Sequence, residues 1–225
     1  MKRSEVNRII TESKAFFAEY QFQLPPWAFW GPTDWKGKGE SCTEIVNNML
    51  GWDITDFGSG RFHACGLVLF TIRNGNLERN DKKQYAEKAM IVEENQETPT
   101  HFHWNKMEDI INRNGGSLVI ELWGSTPDEH LSDKPVKVQV DGVTRTVVPG
   151  GKVVLHPGES ICLEQRIYHR FYGEPGKGKV LVGEVSLVND DNTDNRFYRP
   201  VGRFPAIEED EPPLHLLVNE YAKYL

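Results

Sequence analysis

A chain of 225 residues with 38% hydrophobic content and no long apolar run can bury one sizeable core, which makes a single domain the expectation. Its formal charge of −7 argues against nucleic acid or an anionic membrane as partner, since both need a basic face. Neither a signal-peptide apolar region nor a membrane span is legible, so a cytoplasmic protein acting on a small neutral ligand is expected.

Val6, Ile9, Ile10, Phe16, Phe17 and Tyr20 recur at helical spacing behind Ser4, a residue suited to N-capping, and predict a helix over Ser4 to Tyr20. The aromatic, proline-rich stretch from Leu24 through Trp27 and Trp30 breaks both periodicities and is expected to cover the pocket mouth. Cys42, Cys65 and Cys162 are odd in number and widely spaced, and are expected to be reduced and structural.

From Leu67 onward the pattern turns to short β-branched and aromatic runs: 67–72, 88–93, the neighbours of His101, 117–123, 136–140, 143–148, 152–155, 160–164 and 179–188. Asp141-Gly142 between two alternating runs predicts a type I′ hairpin, whose two central residues need positive φ. Leu214, Leu217, Val218, Tyr221 and Tyr224 follow Pro212-Pro213 at helical spacing and predict a closing helix over about 211–225. The acidic run from Glu208 to Glu211 before it reads as a solvated loop. The parts are thus a cover over about 1–60, a barrel over about 61–205 and the final helix.

His101-Phe-His103 on a strand turns two imidazoles to one face. Glu108 has the wrong parity for that strand, so a turn near Asn105-Lys106 is expected to return it on an adjacent one. With the distant His169 these make an N and O ligand set for a borderline divalent ion such as Mn, Fe, Co, Ni or Zn. His63, His130, His156 and His215 have no partner spacing and read as structural or exposed.

The arrangement His101-x-His103-x4-Glu108-x6-Gly115 resembles the first conserved motif of the cupin superfamily, with His169 standing for the histidine of the second. It departs at Asn95, where the motif has glycine. The resemblance implies an all-β fold, the cupin double-stranded β-helix barrel (jelly roll), here with flanking N- and C-terminal α-helices. Nearly the whole chain, from Met1-Lys-Arg-Ser-Glu through Gly183-Glu-Val-Ser to Asn189-Asp-Asp-Asn-Thr-Asp-Asn-Arg-Phe197, resembles the D-lyxose ketol-isomerase family. That likeness implies one divalent metal per chain, Mn²⁺ by preference with Co²⁺, Fe²⁺ or Zn²⁺ as alternatives, a homodimer, and interconversion of D-lyxose with D-xylulose and of D-mannose with D-fructose.

Such isomerisation passes through an enediolate, which a divalent ion bound by four protein ligands could stabilise by chelating adjacent sugar oxygens. A base must then reach the carbon-bound protons. Glu184, on the apolar run 180–188, is the expected base, and Lys106, between two ligands, the expected partner in proton transfer. Lys88, Asp191, Arg196, Trp30 and Trp104 are candidates for substrate contact. A cupin dioxygenase using three histidines and a glutamate, or a non-catalytic sugar-binding cupin, is the competing expectation.

Overall fold

The computed structural model describes residues 1–79 and 81–224. Helix α1 (Arg3–Glu19) leads in, followed by α2 (Thr43–Asn47). The strands are β1 (Gly51–Thr55), β2 (Leu67–Arg73), β3 (Tyr85–Val92), β4 (His101–His103), β5 (Glu108–Gly115), β6 (Leu118–Trp123), β7 (Val136–Val140), β8 (Val143–Val147), β9 (Gly151–Leu155), β10 (Ser160–Leu163), β11 (Tyr168–Gly173), β12 (Val180–Leu187) and β13 (Asn195–Phe197). They form two antiparallel sheets, ordered β1-β2-β3-β12-β5-β10-β7-β8 and β13-β4-β11-β6-β9, the double-stranded barrel expected of a cupin. Among the described residues no helix is long and apolar enough to cross a membrane.

The large sheet is buried on both faces because its central strands carry apolar residues at odd and even positions alike. Leu67, Leu69, Met90, Ile110 and Val182 face the barrel interior. Val68, Phe70, Ala89, Ile91 and Leu181 face outward and meet Val6, Ile9, Ile10 and Phe17 of α1. The Asp141-Gly142 hairpin forms as the turn chemistry requires, with φ of 50° and 78° and Val140 paired to Val143.

Several expectations change. The covering stretch does not line the pocket mouth: it forms a 3₁₀ turn over Pro26–Phe29 on the outer side, where Trp27 lies 4.8 Å from the Phe70 ring and Trp52 Nε1 donates to the Ala28 carbonyl. Residues 51–55 belong to the barrel as β1; the alternation Trp52-Asp53-Ile54-Thr55 turns Trp52 and Ile54 toward α1. The closing helix shrinks to α3 (Tyr221–Tyr224), with Leu225 outside the described residues. Leu216, Leu217 and Val218 are all buried in succession, which no helical stripe allows, and the Val218 amide donates to the Trp52 carbonyl. The segment thereby covers the free edge of β1, a row of polar groups that would otherwise invite another strand.

Ser4 does not cap α1; the helix begins one residue earlier, and Asp210 accepts from both the Ser4 amide and hydroxyl. The acidic run is the exposed, solvated loop expected, and it also clasps the start of the helix. Glu211 accepts from Asn7, while Arg3 pairs with Glu209 and with the buried Glu220, placing negative charge at the positive end of the helix dipole. Replacing Arg3 by Met leaves Glu220 as an uncompensated buried carboxylate. The expected cost is about 3–5 kcal/mol, to be read from chemical denaturation midpoints; a loss below 1 kcal/mol would show that the clasp contributes nothing to folding.

Candidate metal centre and sugar cavity

His101 lies on β4 directly opposite His169 on β11, and His103 projects from the same face two residues on. The ring centroids of His101 stand 4.3 Å from His169 and 5.1 Å from His103. Each Nδ1 is matched to a backbone carbonyl: His101 to Pro99 at 2.8 Å, His103 to Asp194 at 3.1 Å and His169 to Ile167 at 3.0 Å. A proton on Nδ1 leaves every Nε2 lone pair free. Burial, with His169 close by, pushes the pKa of His101 well down, and burial with Lys106 lowers that of His103, which keeps both imidazoles neutral.

Glu108 reaches this group from the opposite sheet, not from a strand hydrogen-bonded to β4 as expected, because the turn after His103 carries the chain across the barrel to β5. Its Oε1 sits 3.1 Å from His169 Nε2 and 3.5 Å from His103 Nε2. Both nitrogens are buried with no hydrogen-bond partner, and the three histidines offer ligand atoms within 4.8 Å of one another. Buried imidazole nitrogens without partners beside a carboxylate are what a divalent ion would satisfy. The residues fit such an ion.

Asp194 holds the connecting turn in place. Its carboxylate accepts from the Asn105 amide and side chain and from the Lys106 amide, all within 3.0 Å. Asp194→Ala is expected to weaken Mn²⁺ affinity by about 10- to 100-fold, the usual effect of losing support behind metal ligands; calorimetric titration showing parental affinity would assign Asp194 to folding alone.

The motif glycine Gly115 has φ of 89°, and a Cβ there would collide with the Lys179 carbonyl. It turns the end of β5 beneath β12. Across the large sheet Thr71, Lys88, Glu184 and Ile110 stand side by side in register on β2, β3, β12 and β5. This polar row continues the metal centre into a buried network. Lys106 Nζ lies 2.7 Å from Glu108 Oε2 and 2.8 Å from Glu184 Oε1, and Lys88 Nζ lies 3.5 Å from Glu184 and 2.7 Å from Asn189 Oδ1.

Burial alone would lower Lys106, but Glu108 and Glu184 outweigh it and hold the ammonium above the ordinary lysine range. Burial likewise would raise Glu184, yet Lys106 and Lys88 keep its carboxyl below the ordinary value. The same balance holds Glu108 well down through Lys106 and His103, and Asp191 through Lys88 and Arg203. A buried carboxylate that stays ionised between two lysines can accept a proton from a neutral substrate.

These groups open on a cavity of about 70 Å³ with a floor of Leu67, Leu69, Met90, Ile110 and Phe171. Of the residues singled out from sequence, His101, His103, Glu108, His169, Lys88, Lys106, Glu184 and Asp191 line it. Trp30, Trp104 and Arg196 do not. Trp30 packs edge-on against Trp35 under the Lys38 ammonium, outside the barrel. Arg196 alternates with Asn195 and Phe197, which face the cavity, so parity turns it outward to Glu129 at 2.8 Å. Trp104 follows the inward His103 and likewise donates to Glu129.

The cavity also takes Thr55, Phe57, Asn195, Phe197 and Arg203, none of them anticipated. The alternation around Asp53 and Thr55 was the one available signal, since it marks a strand with a polar inner face. Arg203, in an irregular segment, carried none. Among the other histidines, His63 bonds Glu93 on the surface and His215 sits between Lys14 and the Trp30 carbonyl, away from the cavity.

A double-stranded antiparallel barrel with three inward imidazoles that could hold a metal, backed by a buried ion-pair network, defines a cupin with an enzyme-like cavity. A family model described as D-lyxose isomerase matches residues 1–221, and the chain belongs to the D-lyxose isomerase family. It is 48% identical over 227 residues to a D-lyxose/D-mannose isomerase of Serratia proteamaculans and 46% identical over 226 residues to one of Escherichia coli O157:H7, each match covering 100% of both chains. Among solved structures it is similar to an L-ribose isomerase of Cellulomonas parahominis crystallised with L-ribose, with a TM-score of 0.61 and 15% identity, covering 92% of this chain and 98% of that one. At that identity the likeness is one of fold.

Proposed function

We propose that this protein is a metal-dependent aldose–ketose isomerase that interconverts D-lyxose with D-xylulose and D-mannose with D-fructose. The observation that carries the proposal is the buried Lys106–Glu184 pair, 2.8 Å long, set beside imidazole nitrogens without partners inside one small cavity. Family membership and the full-length D-lyxose/D-mannose isomerase relatives support the substrate class.

His101, His103, His169 and Glu108 would hold the ion, which when bound supplies Lewis-acid polarisation of the sugar carbonyl. Glu184 takes the proton from C2 and returns it to C1. Lys106, shared between Glu108 and Glu184, donates to the sugar oxygens and carries the hydroxyl proton from O2 to O1. Lys88 and Asp191 hold the substrate against the polar row. The closed apolar floor limits water around the enediolate, and the fixed ammonium groups stabilise its charge without reorganising.

Manganese as the native ion and a homodimer are part of the same proposal and rest on the family resemblance; a cytoplasmic location is proposed with them from the sequence reading. The test is ketose formation from D-lyxose and D-mannose by metal-stripped protein, before and after Mn²⁺ is added. Restoration by the ion is expected. No ketose from either sugar with any divalent metal would overturn the isomerase reading; oxygen uptake would then indicate a dioxygenase, and sugar binding without turnover a binding module.

A further inference from the structure

Next to the metal-side cavity lies a second one of about 150 Å³, lined by polar groups that include Asn48, Asn74, Asn189 and Thr71. The two cavities share Asp191 and Arg203, and Asp53 lines the second one beside them. Arg203 Nη2 donates to Asp53 Oδ2 at 2.6 Å and to Asp191 Oδ2 at 2.9 Å, so its guanidinium forms the partition between them.

This partition is incompletely satisfied. Asp53 is 2% exposed, and its Oδ1 is buried without a partner; so are Arg203 Nε and, on the neighbouring strand β13, Asn195 Oδ1. Folded proteins rarely leave such atoms unpaired, because each keeps its desolvation cost without a compensating bond. The unpaired histidine nitrogens answer to a metal ion. Those of the partition are of another kind: one carboxylate oxygen that accepts and one guanidinium N–H that donates. A hydroxyl group, donor and acceptor at once, matches both.

The two unsatisfied places are joined by buried ion pairs running Glu108–Lys106–Glu184–Lys88–Asp191–Arg203–Asp53. A sugar whose carbonyl end lies against the histidines has its carbon chain directed along this line toward Arg203. Resting on the isomerase reading above, we infer that Asp53 and Arg203 form the subsite for the sugar hydroxyl farthest from the carbonyl, O5 of D-lyxose, which donates to Asp53 Oδ1 and accepts from Arg203 Nε. They are positioning residues that act through the substrate's distal end, set apart from the atoms that react.

The test compares D-lyxose with 5-deoxy-D-lyxose in the parent enzyme and in Asp53→Asn, both loaded with Mn²⁺. The parent is expected to favour D-lyxose by about 10- to 100-fold in kcat/KM, the range for a hydrogen bond to a charged group. In Asp53→Asn that preference should fall below about threefold, with the change in KM, kcat within a few fold of the parent and manganese content unchanged. General damage to the fold would slow both sugars equally and leave the preference intact, and that result overturns the subsite while sparing the isomerase reading. Arg203→Lys is read in the same way should Asp53→Asn fail to accumulate. A parent enzyme that prefers neither sugar also overturns the subsite, whereas one that turns over neither overturns the isomerase reading and the subsite with it.

Discussion

Glu184→Gln is expected to lower kcat for D-lyxose by about 10²- to 10⁴-fold, the span that a positioned general base contributes, with Mn²⁺ content and fold retained. Retention follows from the network. Lys106 keeps its 2.7 Å contact with Glu108, and Lys88 keeps Asn189 and Asp191, so the amide strands neither ammonium in the interior. Ser186 Oγ, 3.2 Å from Glu184 Oε1, can donate to the amide oxygen as it does to the carboxylate. What the amide cannot do is accept a carbon-bound proton. Incubation in D₂O separates chemistry from structure: the parent should incorporate deuterium into recovered D-lyxose at C2, and the variant should not. Parental kcat in Glu184→Gln would demote Glu184 to a counter-ion for the two lysines, and the next carboxylate on the cavity wall, Asp191, would become the candidate base.

Two physical regimes explain what was legible in the chain. The barrel strands and the Asp141-Gly142 hairpin depend on local periodicity and turn chemistry, both written in adjacent residues. The histidine group was legible because two of its members share a strand face. Failures cluster where tertiary contacts override spacing. Leu214, Leu217, Val218 and Tyr221 sit at helical intervals, yet the edge of β1 recruits Leu216 to Val218 as an extended segment. Lys106 lies in a turn, where lysines are ordinarily exposed, but two buried carboxylates draw it to 3% exposure. Arg196 was singled out by its place in the segment that most resembles the family and Trp104 by residue type, and strand parity, unknowable until the short strands β4 and β13 are placed, turns them away. Arg203 reaches the cavity through an irregular stretch and pairs with Asp53, 150 residues distant in sequence, a juxtaposition that no local pattern encodes.

His103→Ala is expected to abolish measurable isomerisation and to reduce bound Mn²⁺ far below one ion per chain after dialysis. The argument is electrostatic as much as geometric. A divalent ion in this cavity must exchange its water shell for fixed donors, and the three imidazoles converge within 4.8 Å of one another, with Glu108 Oε1 3.1 Å from His169 Nε2 and 3.5 Å from His103 Nε2. Removing one donor costs the ion a bond, and it also cuts the link by which the Asp194 carbonyl orients β4 through His103 Nδ1. Glu108, held ionised by Lys106, then faces that ammonium without the ion for which the pair is poised. His130→Ala, at an exposed histidine outside the cavity, should leave metal content and turnover at parental values. Elemental analysis of both variants beside their D-lyxose turnover decides the matter. A His103→Ala protein that keeps a full complement of Mn²⁺ and its activity would place the ion elsewhere and leave the histidine cluster without a role.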